Sequence, residues 1–144
     1  MNVAVTAPLD RKRWLASLQS GKDVSDTLKE QMDLAEEQLF KAAKPKAVYR
    51  IMKKEDIRRK GVSIEKHLEE CDRVAVMGAT LGMGVDDLIR RTQVRDMAMA
   101  VILDCGASLM IEEVCNIFQK QIDAETDGYL TSRFSPGYGD YPLE

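Results

Sequence analysis

The groups best suited to chemistry crowd into the last twelve residues, Arg133-Phe134-Ser135-Pro136-Gly137-Tyr138-Gly139-Asp140-Tyr141-Pro142-Leu143-Glu144. This stretch holds two of the four Pro, two of the nine Gly and two of the four Tyr. Pro136 and Pro142 fix φ and lack an N–H, while Gly137 and Gly139 admit backbone conformations closed to other residues. The segment is therefore a loop. Backbone amides, one guanidinium and two phenol rings in a loop suit a small ligand that carries a carboxylate and a flat ring.

Other candidate groups carry less. Gly78-Ala79-Thr80-Leu81-Gly82-Met83-Gly84 lies between a predicted strand and a predicted helix, where a phosphate could be cradled. Its spacing matches neither Gly-x-Gly-x-x-Gly nor the P-loop, and no acidic residue closes a second strand about 20 residues on. Tight strand-to-helix packing is the better expectation, with the turn's backbone beside a ligand as the alternative. Cys105 and Cys115 fall on one predicted helix, roughly 15 Å apart at 1.5 Å per residue, too far for a disulfide. With Cys71 they read as reduced structural thiols. A single histidine, His67, excludes a His-rich metal site. No Ser/His/Asp or Cys/His arrangement is readable, so no catalytic residue and no metal ligand is assigned.

At 144 residues, 44% hydrophobic and 31% charged, the chain reads as one domain of a soluble protein. A net charge of −3 argues against nucleic acid as a partner. The basic run Arg50, Lys53, Lys54, Arg58, Arg59, Lys60 is broken by Glu55 and Asp56. It reads as a solvated face or as a docking surface for an acidic partner. No apolar run approaches the roughly 18 residues of a membrane helix, and residues 1–7 lack the pattern of a signal peptide. A cytoplasmic location without membrane attachment is expected.

The elements that must position these groups follow from periodicity and punctuation. Residues 1–7 form an arm or a short edge strand. Pro8 to about Ser20 is a helix closed by Gly21. A second helix of about 20 residues follows, capped by Ser25 or Asp23, with Val24, Leu28, Met32, Ala35 and Leu39 as its apolar stripe and Pro45 as its stop. Lys46 to Met52 and Arg73 to Met77 are strands. Between them lie a charged connection, 53–61, and a short helix from Ile64 to about Cys71, capped by Ser63. A helix containing Val85, Leu88 and Ile89 precedes the longest pattern, Val94 to Ala124. There Ala98, Val101, Ile102, Cys105, Leu109, Phe118 and Ile122 line one side, Met97, Met99 and Met110 fill the core, and Gly106 admits another element. Glu112, seven residues after Cys105, falls near that stripe. It either faces solvent at the margin or is held inward for a cationic group. Tyr129 to Thr131 is a brief extended segment.

Four blocks, in order, are shared with a known family. Arg133-x-x-x-Gly137-Tyr138 resembles the Arg-x-x-x-Gly-Tyr motif of the activation (reactivation) domain of cobalamin-dependent methionine synthase, and the string from Arg133 to Glu144 looks like the form in short, stand-alone members. So do Ala43 to Arg50, His67 to Glu69 with Val76 to Gly82, and Ile111 to Cys115. The likeness runs from about residue 8 to residue 144, nearly the whole chain.

The resemblance implies an α+β fold, helix-rich, with an antiparallel sheet. It implies a groove for S-adenosylmethionine and a part in restoring methylcobalamin from cob(II)alamin. The cobalamin would be carried by a corrinoid-binding partner protein or domain, and the electron would come from a flavodoxin-like donor. Arg133 then meets the ligand's carboxylate, Glu112 its ammonium, and the backbone of Ser135, Pro136 and Gly137 the adenine edge, with Tyr138 packing on the ligand. This chain has no Asp-x-His-x-x-Gly corrinoid signature, so it serves as an accessory part of the methyltransferase system. The family pattern continues past Glu144, so a C-terminally incomplete domain is expected. The alternative is a non-catalytic interaction module that docks on a corrinoid protein without binding S-adenosylmethionine. A nucleotide-binding enzyme built on the Gly78–Gly84 turn is a third, disfavoured reading.

Overall fold

A computed structural model describes residues 1–19, 21 and 24–143. The expected first-helix end at Ser20, the alternative cap Asp23 and the terminal Glu144 lie outside the described residues. The fold is α+β, with five α-helices and a two-stranded antiparallel sheet among the described residues. The elements are α1 (Arg11–Ser17), α2 (Asp26–Ala42), β1 (Lys46–Lys53), α3 (Val62–His67), β2 (Arg73–Thr80), α4 (Met83–Gln93) and α5 (Met97–Glu125), with one 3-10 turn at Lys54–Asp56. The chain divides into two compact units, Met1–Ala47 with Ala79–Ile122, and Val48–Gly78 with Asp123–Glu144.

The first unit is helical. Asp10, rather than Pro8, starts α1: its carboxylate accepts from the N–H groups of Lys12 and Arg13 at 3.0 and 3.1 Å. Gly21 does not close that helix. Leu18 caps it, and Gln19 takes the left-handed turn at φ 53°. Ser25 caps α2, accepting from Leu28 N–H at 3.2 Å. Met32, Ala35 and Leu39 of the expected stripe are buried, and Val24 and Leu28 are half-buried. The N-terminal arm pairs with the start of β1 by one antiparallel bridge, Asn2 with Lys46, and Val3 is buried.

The long helix expected from Val94 to Ala124 is present as α5 and starts three residues later, at Met97. Residues 94–96 separate α4 from α5, because Asp96 caps a new helix by accepting from Met99 N–H at 3.0 Å. The buried face of α5 runs through Met99, Ile102, Leu103, Gly106, Ala107, Met110, Val114, Phe118 and Ile122. Ala98 and Val101 are exposed, and Met97 is 61% exposed, so it fills no core. The first two turns of α5, residues 97–103, are apolar on all sides, so their period leaves the phase open. Packing sets the phase instead. A Cβ on Gly106 would stand 2.5 Å from Cζ2 of Trp14 and 2.8 Å from Cδ1 of Leu39. Trp14 is fully buried there and its Nε1–H donates to the carbonyl of Ile102 at 3.0 Å.

The glycines after β2 also serve packing. Gly78 lies inside β2 and not in a turn. Gly82 precedes α4 at φ 84°, and a Cβ on Gly84 would fall 2.6 Å from the carbonyl oxygen of Ala42. The end of α2 therefore lies against the first turn of α4, so Gly84 serves a helix-to-helix contact where strand-to-helix packing is expected.

Gly106→Ala tests the α5 contact. Added helix propensity is worth up to about 1 kcal/mol, whereas overpacking costs about 1–3 kcal/mol. A net loss of stability in urea unfolding is expected, and unchanged or increased stability would contradict this packing.

Candidate functional site

The second unit holds residues 48–53 of β1 and 73–78 of β2, which are neighbouring strands, and the terminal loop follows α5. Tyr49 ties the strand to the end of α5 through its hydroxyl, which donates to Glu125 Oε2 at 2.8 Å. That bond, to a carboxylate, pushes the Tyr49 phenol pKa up. The remaining anchor of the unit is α3, and the loop that carries the candidate ligand residues is built on it.

The loop is two consecutive turns. Tyr138 N–H donates to Ser135 O at 3.0 Å, Tyr141 N–H to Tyr138 O at 3.0 Å, and Gly137 N–H to Tyr141 O at 2.8 Å. Gly137 and Gly139 sit at φ 93° and 55°, in the left-handed half of backbone space. The Gly137 amide, expected to face a ligand, is thus spent within the loop, as are those of Tyr138 and Tyr141. Any contact with a purine edge falls to the loop's other main-chain groups, its carbonyl oxygens above all.

Asp140 fastens this loop to α3. Its Oδ2 accepts from Val62 N–H at 2.6 Å and its Oδ1 from Ser63 N–H at 2.8 Å. Gly61 precedes α3 at φ 115°, with no side-chain cap of its own. Ser63, expected as the cap, instead lies in the first turn. The carboxylate supplied from 77 residues away replaces it. The fit is close. A Cβ on Gly61 would lie 2.7 Å from the Asp140 carbonyl oxygen, and one on Gly139 would meet the Ser63 hydroxyl.

Aromatic contacts complete the attachment. Phe134 packs among His67, Tyr138 and Tyr141, with ring centroids 4.9, 5.6 and 6.1 Å apart. His67 Nε2 donates to Ser132 O at 2.9 Å, and the Tyr141 hydroxyl donates to Arg58 O at 3.0 Å.

Arg133, Ser135, Pro136, Gly137 and Tyr138 are therefore brought together on one folded loop. Arg133 and Ser135 are half-buried, Pro136 and Gly137 are exposed, and Tyr138 is 51% exposed. Glu112 belongs to the first unit. It is exposed on α5, about 200° around the helix from buried Met110 and Val114. Asp140, His67 and Phe134 carry no role in the sequence pattern, and Tyr141 figures there only as one of two phenol rings. An Asp directly after a Gly-rich turn is a cap signal, but nothing local shows which helix it caps. Cys71, Cys105 and Cys115 are half-buried thiols. Among the described residues, no group of three or more His, Cys, Asp or Glu could hold a metal ion, and no helix is long and apolar enough to cross a membrane.

The Asp140 contacts carry a pH signature. The Ser63 and Val62 amides favour the ionised carboxylate and hold its pKa below the ordinary 3.8. A depressed carboxylate pKa contributes stability that is present above the ordinary value and is lost as pH falls through the folded value. Loop attachment is thus expected to be constant near neutrality and to weaken only in acid. Amide shifts of Val62 and Ser63, followed by NMR from about pH 7 to 2, are expected to inflect together below 3.8. An inflection at or above that value would contradict the two bonds.

Compared with models of known protein families and with curated proteins, the chain matches none.

Proposed function

We propose that this chain is an S-adenosylmethionine-binding reactivation module of the kind its four sequence blocks resemble. It would support reductive methylation of cob(II)alamin in a cobalamin-dependent methionine synthase. The observation that carries the reading is the folded Arg133–Tyr138 loop. Its guanidinium and a half-exposed phenol ring stand on a backbone held in shape by Gly137 at φ 93°. The donor set fits the ligand. Arg133 offers a planar fork to a carboxylate, Tyr138 offers a ring face and a hydroxyl, and Pro136 and Gly137 present main chain to an adenine edge. The proposal rests on the loop.

The ligand itself supplies a sulfonium leaving group, and a corrinoid on a partner protein supplies the nucleophilic metal, with the electron drawn from a flavodoxin-like donor. The residues of this chain bind and orient. Arg133 fixes one end of the ligand, Tyr138 and the loop backbone fix the ring, and the methyl is thereby presented in one direction. No proton transfer falls to a side chain here, so no general acid or base is assigned.

One observation favours the second reading, a docking module for a corrinoid protein without ligand. The amides of Gly137, Tyr138 and Tyr141 already have partners inside the loop, which lowers the loop's capacity to hold a small molecule. Titration calorimetry separates the two. Wild-type chain is expected to bind S-adenosylmethionine, and Arg133→Ala to weaken binding roughly 10- to 100-fold, the worth of a charge-assisted hydrogen-bond pair. A folded wild-type chain that binds a corrinoid protein but not S-adenosylmethionine would replace the first reading by the second.

A further inference from the structure

Asp140 lies outside the Arg133–Tyr138 motif, yet every feature around it bears on the shape of that motif. Its carboxylate reaches both leading amides of α3, at 2.6 and 2.8 Å, across 78 and 77 residues of sequence. The seat is made to its size. Gly61 leaves the space taken by the Asp140 carbonyl and carboxylate, and Gly139 leaves the space taken by Ser63. Two residues before Asp140 stands Tyr138, and one residue after it stands Tyr141, whose amide and carbonyl close the turn onto Tyr138 and Gly137. On the other side of that turn, Tyr138 meets Phe134 edge-on at 5.6 Å. Fixing Asp140 therefore fixes both ends of the Gly137–Tyr141 turn, and with them the direction of the Tyr138 ring and the Gly137 main chain.

We propose that Asp140 is the positioning residue of the ligand loop, holding Gly137 and Tyr138 in the binding geometry by capping α3 from a distance. This rests on the ligand reading given above. Asp140 does not itself touch the ligand. Its part is preorganisation: a loop already seated does not have to be ordered when the ligand arrives, so less of the binding free energy is lost. A helix as short as α3, six residues long, has little stability of its own. Helix and loop therefore order each other.

The test uses the full chain and four proteins: wild type, Asp140→Ala, Asp140→Asn and Ser25→Ala. Ser25→Ala removes a comparable helix cap from α2, far in sequence from the loop, and reports what a loss of stability alone does. Each protein is titrated with S-adenosylmethionine by calorimetry, and amide hydrogen exchange is followed at residues 61–64 and 134–141. Asp140→Ala is expected to raise exchange in both segments together and to weaken binding about ten-fold. Asp140→Asn keeps one acceptor oxygen and is expected to fall between Asp140→Ala and wild type in both readouts. It also keeps the test decisive should the alanine variant unfold. Ser25→Ala is expected to lower stability and leave affinity unchanged. Wild-type binding that is equally tight in both Asp140 variants would overturn the role of Asp140 while leaving the ligand reading intact. So would a Ser25→Ala loss as large as that of Asp140→Ala. A folded wild type that fails to bind would overturn the ligand reading, and the role of Asp140 with it.

Discussion

A carboxylate that caps a helix from the far end of the chain is the interaction on which the second unit depends. The short helix α3 begins at a glycine with φ 115° and has no cap within its own sequence. Left alone, its leading amides would have only water. Asp140 satisfies two of them, and the price is a loop whose every residue from Phe134 to Tyr141 is constrained by turns and ring contacts. The attachment is polar and exposed, so its strength comes from geometry and charge, not from burial. The loop is consequently both well shaped and able to loosen locally.

The first unit depends on a different constraint, a missing side chain. Gly106 lets the Trp14 indole and Leu39 approach the backbone of α5, and the indole N–H then finds the carbonyl of Ile102. That approach decides which face of an almost uniformly apolar helix is buried. It leaves Met97 and Val101 outside and carries Glu112 to the solvent side. Arg11 lies over the same indole, 5.2 Å from the ring centroid, while pairing with Asp33 and Glu36. One aromatic residue thus joins α1, α2 and α5.

Much of this was legible from the residues. The stripe of α2, its Ser25 cap, both strands and the existence of each helix follow from period and punctuation. What failed was whatever depends on tertiary partners. On α5 the expected stripe holds at Ile102, Phe118 and Ile122 and departs at Ala98 and Val101, in the first two turns, where apolar residues surround the helix and its period is weak. The start of α5 at Met97, three residues after Val94, is set by Asp96, whose capping bond to Met99 N–H a helical period does not reveal. Ser63 was given the role that Asp140 performs, since local spacing cannot reveal a cap 77 residues distant. At the candidate site, the residue types of the motif were readable. The internal use of the Gly137 amide and the seating of the loop on α3 were not.

Folded shape and residue chemistry meet at Arg133–Tyr138, where a guanidinium, a phenol ring and glycine-shaped main chain share one braced loop. The most direct measurement is an amide-resolved NMR titration of the full chain with S-adenosylmethionine. Saturable shift changes concentrated at residues 133–141 and at the leading amides of α3 are expected. No change, or changes centred on the Leu81–Gly84 turn with the loop unmoved, would contradict the assignment of this loop as the ligand site.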